Sequence, residues 1–214
     1  MSNDSDQSQF SIYIRENNVE GIKRLIDERN IDLNLIGRNN PLLEAIIYNT
    51  SYEIVKLLLD SGAKVDIGFD SYDRTPLNRS FYNQNDDVTE LLVDAGSNPV
   101  YQDDTYGRSC FHMVYNLNHK NIVRILRKML ISTVLHFDIE SINDTNDNSM
   151  TPYEILYLYL DQDIGGEIRE CLELLELYGA EFYDHNFPSL NVLSMRATNR
   201  YFIDISSLPL KVFP

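Results

Sequence analysis

The sequence predicts an all-α solenoid of about four to five stacked helix-turn-helix units with an irregular C-terminal cap, and three observations predict it. A block recurs at a near-constant period: 35 residues separate Pro41 from Pro76, 34 separate Pro76 from Cys110, and 34 separate Gly62 from Gly96. Within the blocks apolar residues fall at i, i+3 and i+4, as in Ile54, Leu57, Leu58 and again in Val88, Leu91, Leu92. That spacing paints one stripe on a helix. A single unit cannot bury its own stripe, so units must stack on their neighbours. The punctuation also repeats. Thr75 and Thr151 suit helix N-caps, Pro76 and Pro152 suit the next position, and Gly62, Gly96 and Gly179 suit the left-handed residue beyond a helix end.

Taken in order, residues 1–9 are polar, with no basic or apolar leader signature, and are expected to be disordered. The first unit, about 10–36, lacks the Thr-Pro start but keeps a second-helix pattern from Ile22 to Asp27. The second, about 37–69, carries Asn40-Pro41-Leu42-Leu43 and Glu53 to Ala63. The third, about 70–102, carries Thr75-Pro76-Leu77-Asn78 and Val88 to Gly96. The fourth, about 103–143, begins at Ser109-Cys110-Phe111-His112 but has Leu130 where a glycine is due. Its apolar run continues from Ile131 to Phe137, which predicts a lengthened second helix or a long connection. The fifth, about 144–182, spans 27 residues from Pro152 to Gly179 instead of 20 or 21, and Asp161 to Glu167 should form a longer inter-helix loop. Ala45 in a first helix is matched by Ser80, Val114 and Leu156, so inter-helix packing should be irregular. Residues 183–214 leave the pattern and read as a cap or tail, with a short helix at Leu190–Met195 and a β-branched, aromatic stretch at Tyr201–Ile205.

These blocks resemble the ankyrin repeat, whose signature is a Thr-Pro-Leu-His start and a leucine-rich second helix closed by Gly-Ala. The resemblance covers roughly residues 10 to 182. It implies a structural, intra-repeat hydrogen bond for His112, and protein binding at the hairpin tips and on the first-helix face. Carried over position by position, it selects Tyr72, Arg74, Tyr82 and Asn83 in the third unit. It also selects Tyr106, Arg108, Asn116 and Leu117 in the fourth, and Ile47 and Tyr48 in the second. Tyr and Arg are frequent interface anchors, and the Tyr-x-Arg pattern of Tyr72/Arg74 recurs at Tyr106/Arg108.

Composition excludes several function classes. The 214 residues include 33 acidic and 18 basic side chains, for a net charge of −15. Phosphates would meet a repulsive field, so nucleic acid is not an expected partner. The longest apolar stretches, such as Met129–Leu135, fall far short of the roughly 20 residues a membrane span needs, so no membrane association is expected. Cys110 and Cys171 stand singly, which fits buried thiols in a reducing, intracellular compartment. Twenty-one Asn, 20 Ile and 14 Tyr against 5 Ala and 9 Gly indicate A/T-rich coding and are read as silent on mechanism.

No phosphate loop, HExxH, GxSxG or zinc-type spacing is present, so no catalytic residue, cofactor or metal is expected. Cys110, His112 and His119 make a poor catalytic set, because residues two apart on a helix diverge. Asp144–Asn148 lacks the glycine and closing glutamate of a calcium loop and reads as a polar hairpin. Charge is unevenly spread: residues 105–137 carry +5 and 138–184 carry −12. Lys120, Arg124, Arg127 and Lys128 share one helix face. Either they exchange ion pairs with adjacent units, as the alternating column Lys56, Glu90, Arg124, Glu173 suggests, or they form a basic docking patch.

The alanine-poor, irregular repeats and the Asn/Ile/Tyr/Asp-rich composition resemble the ankyrin-repeat proteins of poxviruses. That likeness implies a cytoplasmic, also nuclear, module that binds a host signalling protein and antagonises innate immunity through NF-κB or cell-death pathways. Ser207-Leu208-Pro209 is similar to the start of an F-box-like segment, but the helices such a segment needs do not follow. A ubiquitin-ligase adaptor is therefore not expected as partner. The alternatives are a cellular or bacterial ankyrin adaptor, or a structural subunit of an assembly.

Overall fold

The structure, a computed structural model, describes residues 2–28, 31–163 and 165–181. Five helix pairs stack in chain order. They are α1 (Ser2–Arg15) with α2 (Val19–Glu28), α3 (Pro41–Ile47) with α4 (Tyr52–Asp60), and α5 (Pro76–Asn83) with α6 (Asp86–Asp94). The 3-10 helix Cys110–Asn116 then pairs with α7 (His119–His136), and α8 (Pro152–Tyr157) with α9 (Glu167–Leu177). First helices pack on first helices and second on second, as in α1 on α3 on α5 and α2 on α4 on α6 on α7 on α9. One continuous core runs through the stack, from Phe10 and Ile14 through Leu42, Leu77 and Phe111 to Leu156 and Leu175.

Two expectations for the ends meet different outcomes. Residues 2–9 lie in α1, where disorder was expected: Phe10 and Ile14 are fully buried, and Gln7 exchanges hydrogen bonds with the Asp32 backbone. The amphipathic end of α1 thus carries its polar start along. The cap or tail at 183–214, with the segments Leu190–Met195 and Tyr201–Ile205, lies outside the described residues. Between the ends, α7 is the lengthened second helix: its 18 residues bury Met129, Leu130 and Thr133 beyond the point where other units stop. The fifth unit's longer loop winds through a 3-10 turn at Leu160–Gln162, and Gly166, left-handed at φ 88°, opens α9.

The helix starts solve one problem with different side chains. At three first-helix starts the residue three after the cap returns a hydrogen bond to the cap's own N–H. Asn78 accepts from Thr75 at 3.3 Å, His112 Nδ1 from Ser109 at 3.1 Å, and Glu154 from Thr151 at 2.9 Å. His112 is fully buried and has the intra-repeat role that the resemblance implies. Because Nδ1 accepts, the ring proton sits on Nε2, which makes no hydrogen bond of good geometry although the Asp144 and Met150 backbone stands near it. Burial pushes the imidazole down to about 4, against the neighbouring backbone carbonyls and with help from Arg108.

The boundaries between units are closed by Asn and Asp. Asn17 Oδ1 accepts from Ser51 N–H, Asn34 Oδ1 from Lys64, Asp66 Oδ2 from Asn98, Asp86 Oδ2 from Asn118, and Asn143 Oδ1 from Glu181, all between 2.7 and 3.0 Å. Asn34 and Asn143 each also donate, to the carbonyls of Gly62 and Gly179. The asparagine content, read from the sequence as a coding bias, therefore has a structural use. The substituted alanine positions are irregular as expected: Ser80 lies buried, bonded to Leu77 and to Thr89 of α6, while Val114 and Leu156 fill the same layer with carbon.

Two stability predictions follow from the geometry. Asp66 occupies the position of Asn34 and Asn143 but cannot donate to Gly96; its Oδ1 is buried without a partner, and burial raises its pKa. Asp66→Asn supplies the missing donor, so chemical denaturation at pH 7 should show a gain of about 1 kcal/mol. The gain should shrink in acid, because protonation relieves the folded carboxyl there; a loss at pH 7 would contradict the assignment. For His112 the sign is opposite. A depressed folded pKa adds stability above the unfolded value of 6.5 that is lost as pH falls toward about 4. Relative to His112→Asn, the wild type should lose up to roughly 3 kcal/mol across that window; parallel pH profiles would refute the buried neutral ring.

Candidate partner-docking surface

Three hairpins project from the stack, each closed by a backbone hydrogen bond: Asp70 to Arg74, Asp103 to Arg108 and Asn146 to Met150. Each turns through a left-handed residue, Asp73, Gly107 or Ser149. An acid or amide at the base gathers the turn's N–H groups. Asp70 Oδ1 accepts from Tyr72 and Arg74, Asp103 Oδ1 from Thr105, Tyr106 and Arg108, and Asn146 Oδ1 from Asn148 and Met150. The hairpins are coupled in a row, since Asp104 N–H donates to the Tyr72 carbonyl and Asp147 N–H to the Tyr106 carbonyl. Sequence reading missed these organising residues. Their signal is the acid or amide that stands four or five residues before each turn's last member.

The row presents Tyr72 and Tyr106, each about half exposed. Beneath each ring lies its own arginine, with the guanidinium carbon 4.5 Å from the Tyr72 centroid for Arg74 and 4.7 Å from the Tyr106 centroid for Arg108. The two arginines differ in burial. Arg74 is 7% exposed, ion-paired with Asp70 at 3.0 Å and also stacked on Tyr82 at 4.6 Å. It therefore braces the hairpin and offers a partner little surface, contrary to the sequence expectation.

Other candidates divide in the same way. Tyr48, Tyr82 and Tyr115 each stand three residues before the cap of their second helix and line the first-helix face. Tyr48 is half exposed under Arg15, and Tyr115 stacks on Tyr159 at 4.6 Å. Tyr82 donates its hydroxyl to Asp103 at 3.0 Å; burial and that carboxylate push its pKa up to about 12. Ile47 and Asn116 are half-buried. Asn83 is held by the Ile46 carbonyl of the preceding unit. Leu117, selected for binding, is 5% exposed and belongs to the core.

The basic face of α7 is spent on its neighbours. Lys128 bridges Glu90 at 2.8 Å and Asp94 at 2.7 Å, Arg124 pairs with Glu90, and Arg127 meets Glu170 at 3.4 Å. Burial works against ionisation of Glu90, but hydrogen bonds from Lys128 and Arg124 hold its pKa below the usual range. The structure thus realises the ion-pair arrangement of the two that the sequence allows, between α6 and α7 and between α7 and α9. Lys56, by contrast, pairs within its own helix, with Asp60. Only Lys120 of the four has no ion pair among the described residues, so they make no free basic patch.

Cys110 and His112 are both fully buried, burial raises the Cys110 thiol well above its ordinary value, and Asn78 Nδ2 donates to its sulfur. Buried Cys171 is likewise pushed up to about 12. His119, Asp163 and Glu167 bring one ligand atom each within 4.8 Å, but Asp163 is committed to capping α9 through the N–H groups of Gly166, Ile168 and Arg169. An open groove of about 320 Å³ between α2 and α4 is lined by Lys23, Glu53, Lys56 and Asp60, away from the hairpins and mixed in charge. Among the described residues no helix is long and apolar enough to cross a membrane.

Comparison with protein-family models matches residues 10–103 to ankyrin repeats, in three copies. A search of curated proteins finds no match. The two units beyond the match keep the same order of hairpin, capped first helix and second helix packed on its predecessor. Ankyrin repeats thus occupy residues 10–103, and the stack of helix-turn-helix units that they begin is continued by two irregular units after them.

Proposed function

We propose that this protein captures a partner protein on the surface made by its hairpin row and first-helix face, and acts by holding that partner out of its usual complexes. Ankyrin repeats are protein–protein interaction modules. The observation that carries the reading is the pair Tyr72 and Tyr106, exposed at matching hairpin positions and each seated on a guanidinium. Large aromatic rings pre-positioned in this way lose little conformational freedom on binding. The similarity in style to poxvirus ankyrin proteins supports a host signalling protein of innate immunity as the partner, in NF-κB or cell-death pathways, met in the cytoplasm.

Because Arg74 braces its hairpin, the informative variant leaves it in place. The double substitution Tyr72→Ala and Tyr106→Ala should retain the circular dichroism and melting temperature of the wild type. It should lower recovery of the partner from human cells by at least tenfold in quantitative affinity purification. Full recovery by the folded variant would reject this surface.

A further inference from the structure

We propose that the docking surface recognises an acidic side chain of the partner, whose carboxylate completes Arg108. This rests on the reading of the surface given above and adds the chemistry of what it holds. The argument comes from comparing two hairpins one period apart. In the first, Asp70 Oδ1 gathers the turn's N–H groups, and Oδ2 accepts from Arg74 Nε at 3.0 Å. In the second, Asp103 Oδ1 does the same gathering, but Oδ2 is taken by the Tyr82 hydroxyl at 3.0 Å. Arg108 is thereby deprived of the carboxylate its counterpart has. It forms no ion pair among the described residues, and its Nε is buried without a hydrogen bond.

The surroundings favour a polypeptide carboxylate over a small anion. Residues 105–137 contain no Asp or Glu, and the other cations of that unit except Lys120 are already neutralised by Glu90, Asp94 and Glu170. Arg108 sits against Tyr106 at 4.7 Å and lies within electrostatic reach of Tyr82 and Tyr159. A cation seated against an aromatic ring offers a planar fork for a carboxylate and apolar area for the chain that carries it. A free anion would leave that area wet. In a chain of net charge −15, a guanidinium without an ion pair beside an exposed tyrosine is a place where an acidic segment can approach.

The test is a library of random 12-residue peptides displayed on phage and panned against the full chain. The selected peptides should be enriched in Asp or Glu. The best of them should lose at least tenfold in affinity when its acids become Asn or Gln, and Arg108→Gln should abolish that difference. Should Arg108→Gln melt early, Tyr82→Phe serves instead: it frees Asp103 Oδ2 to pair with Arg108, and the acidic peptide should weaken likewise. Binders without acidic enrichment, no binders at all, or an affinity untouched by these substitutions would overturn the proposal. If Tyr72→Ala with Tyr106→Ala abolishes peptide binding while Arg108→Gln does not, the docking surface stands and the acidic recognition fails.

Discussion

The loops of each unit end in backbone N–H groups that nothing in the same unit satisfies, and the stack depends on the preceding unit to supply the acceptor. Asn17, Asn34, Asp66, Asp86 and Asn143 do so across every boundary between the five helix pairs. A short polar side chain suits the task, because it reaches one residue spacing and no further and costs little rotamer entropy to fix. The apolar stripes give the stack its driving force, but they are nearly continuous along the helices and would tolerate sliding. The amide bonds at the loop ends set the register, so each unit sits at one height on its neighbour.

Electrostatics add to that register. A total charge of −15 opposes compaction, yet the acidic load is locally answered where helices meet. Glu90 and Asp94 on α6 receive Arg124 and Lys128 from α7, and Glu170 on α9 receives Arg127. Exposed pairs of this kind contribute about 0 to 1 kcal/mol each. Their main effect is to place the lengthened α7 squarely between two acidic helices. The basic fourth unit is thus mostly consumed internally, and what remains unpaired, Arg108 and Lys120, is confined to its hairpin base and the start of α7.

The helix pairs were legible in the sequence because their signals are local and periodic: Thr75-Pro76, the Ile54–Leu58 stripe and Gly96 each act within one turn of helix. The extension of α7 was legible for the same reason, since Leu130 replaces a helix-ending glycine. The helix of residues 2–9 was not, because its order comes from the burial of Phe10 and Ile14 farther along and from Gln7 meeting Asp32. The docking residues were half legible. Tyr72 and Tyr106 announce themselves by recurrence, but nothing within the Tyr-x-Arg pattern separates Arg74, which has Asp70, from Arg108, whose acid is taken by Tyr82 of the neighbouring unit. Leu117 was misassigned because exposure at a helix end depends on the next unit's packing, which no local pattern carries.

If Asn and Asp side chains fix the register, the amides of Ser51, Lys64, Asn98, Asn118 and Glu181 should behave as core amides although they lie in loops or beside helix caps. Native-state hydrogen exchange read by NMR measures this residue by residue. The account predicts protection comparable with the buried turns of α4 and α6, lost one boundary at a time when the accepting side chain is replaced by alanine. Exchange of these amides at the rate of exposed loops would contradict it and leave the stack held by its apolar stripes alone.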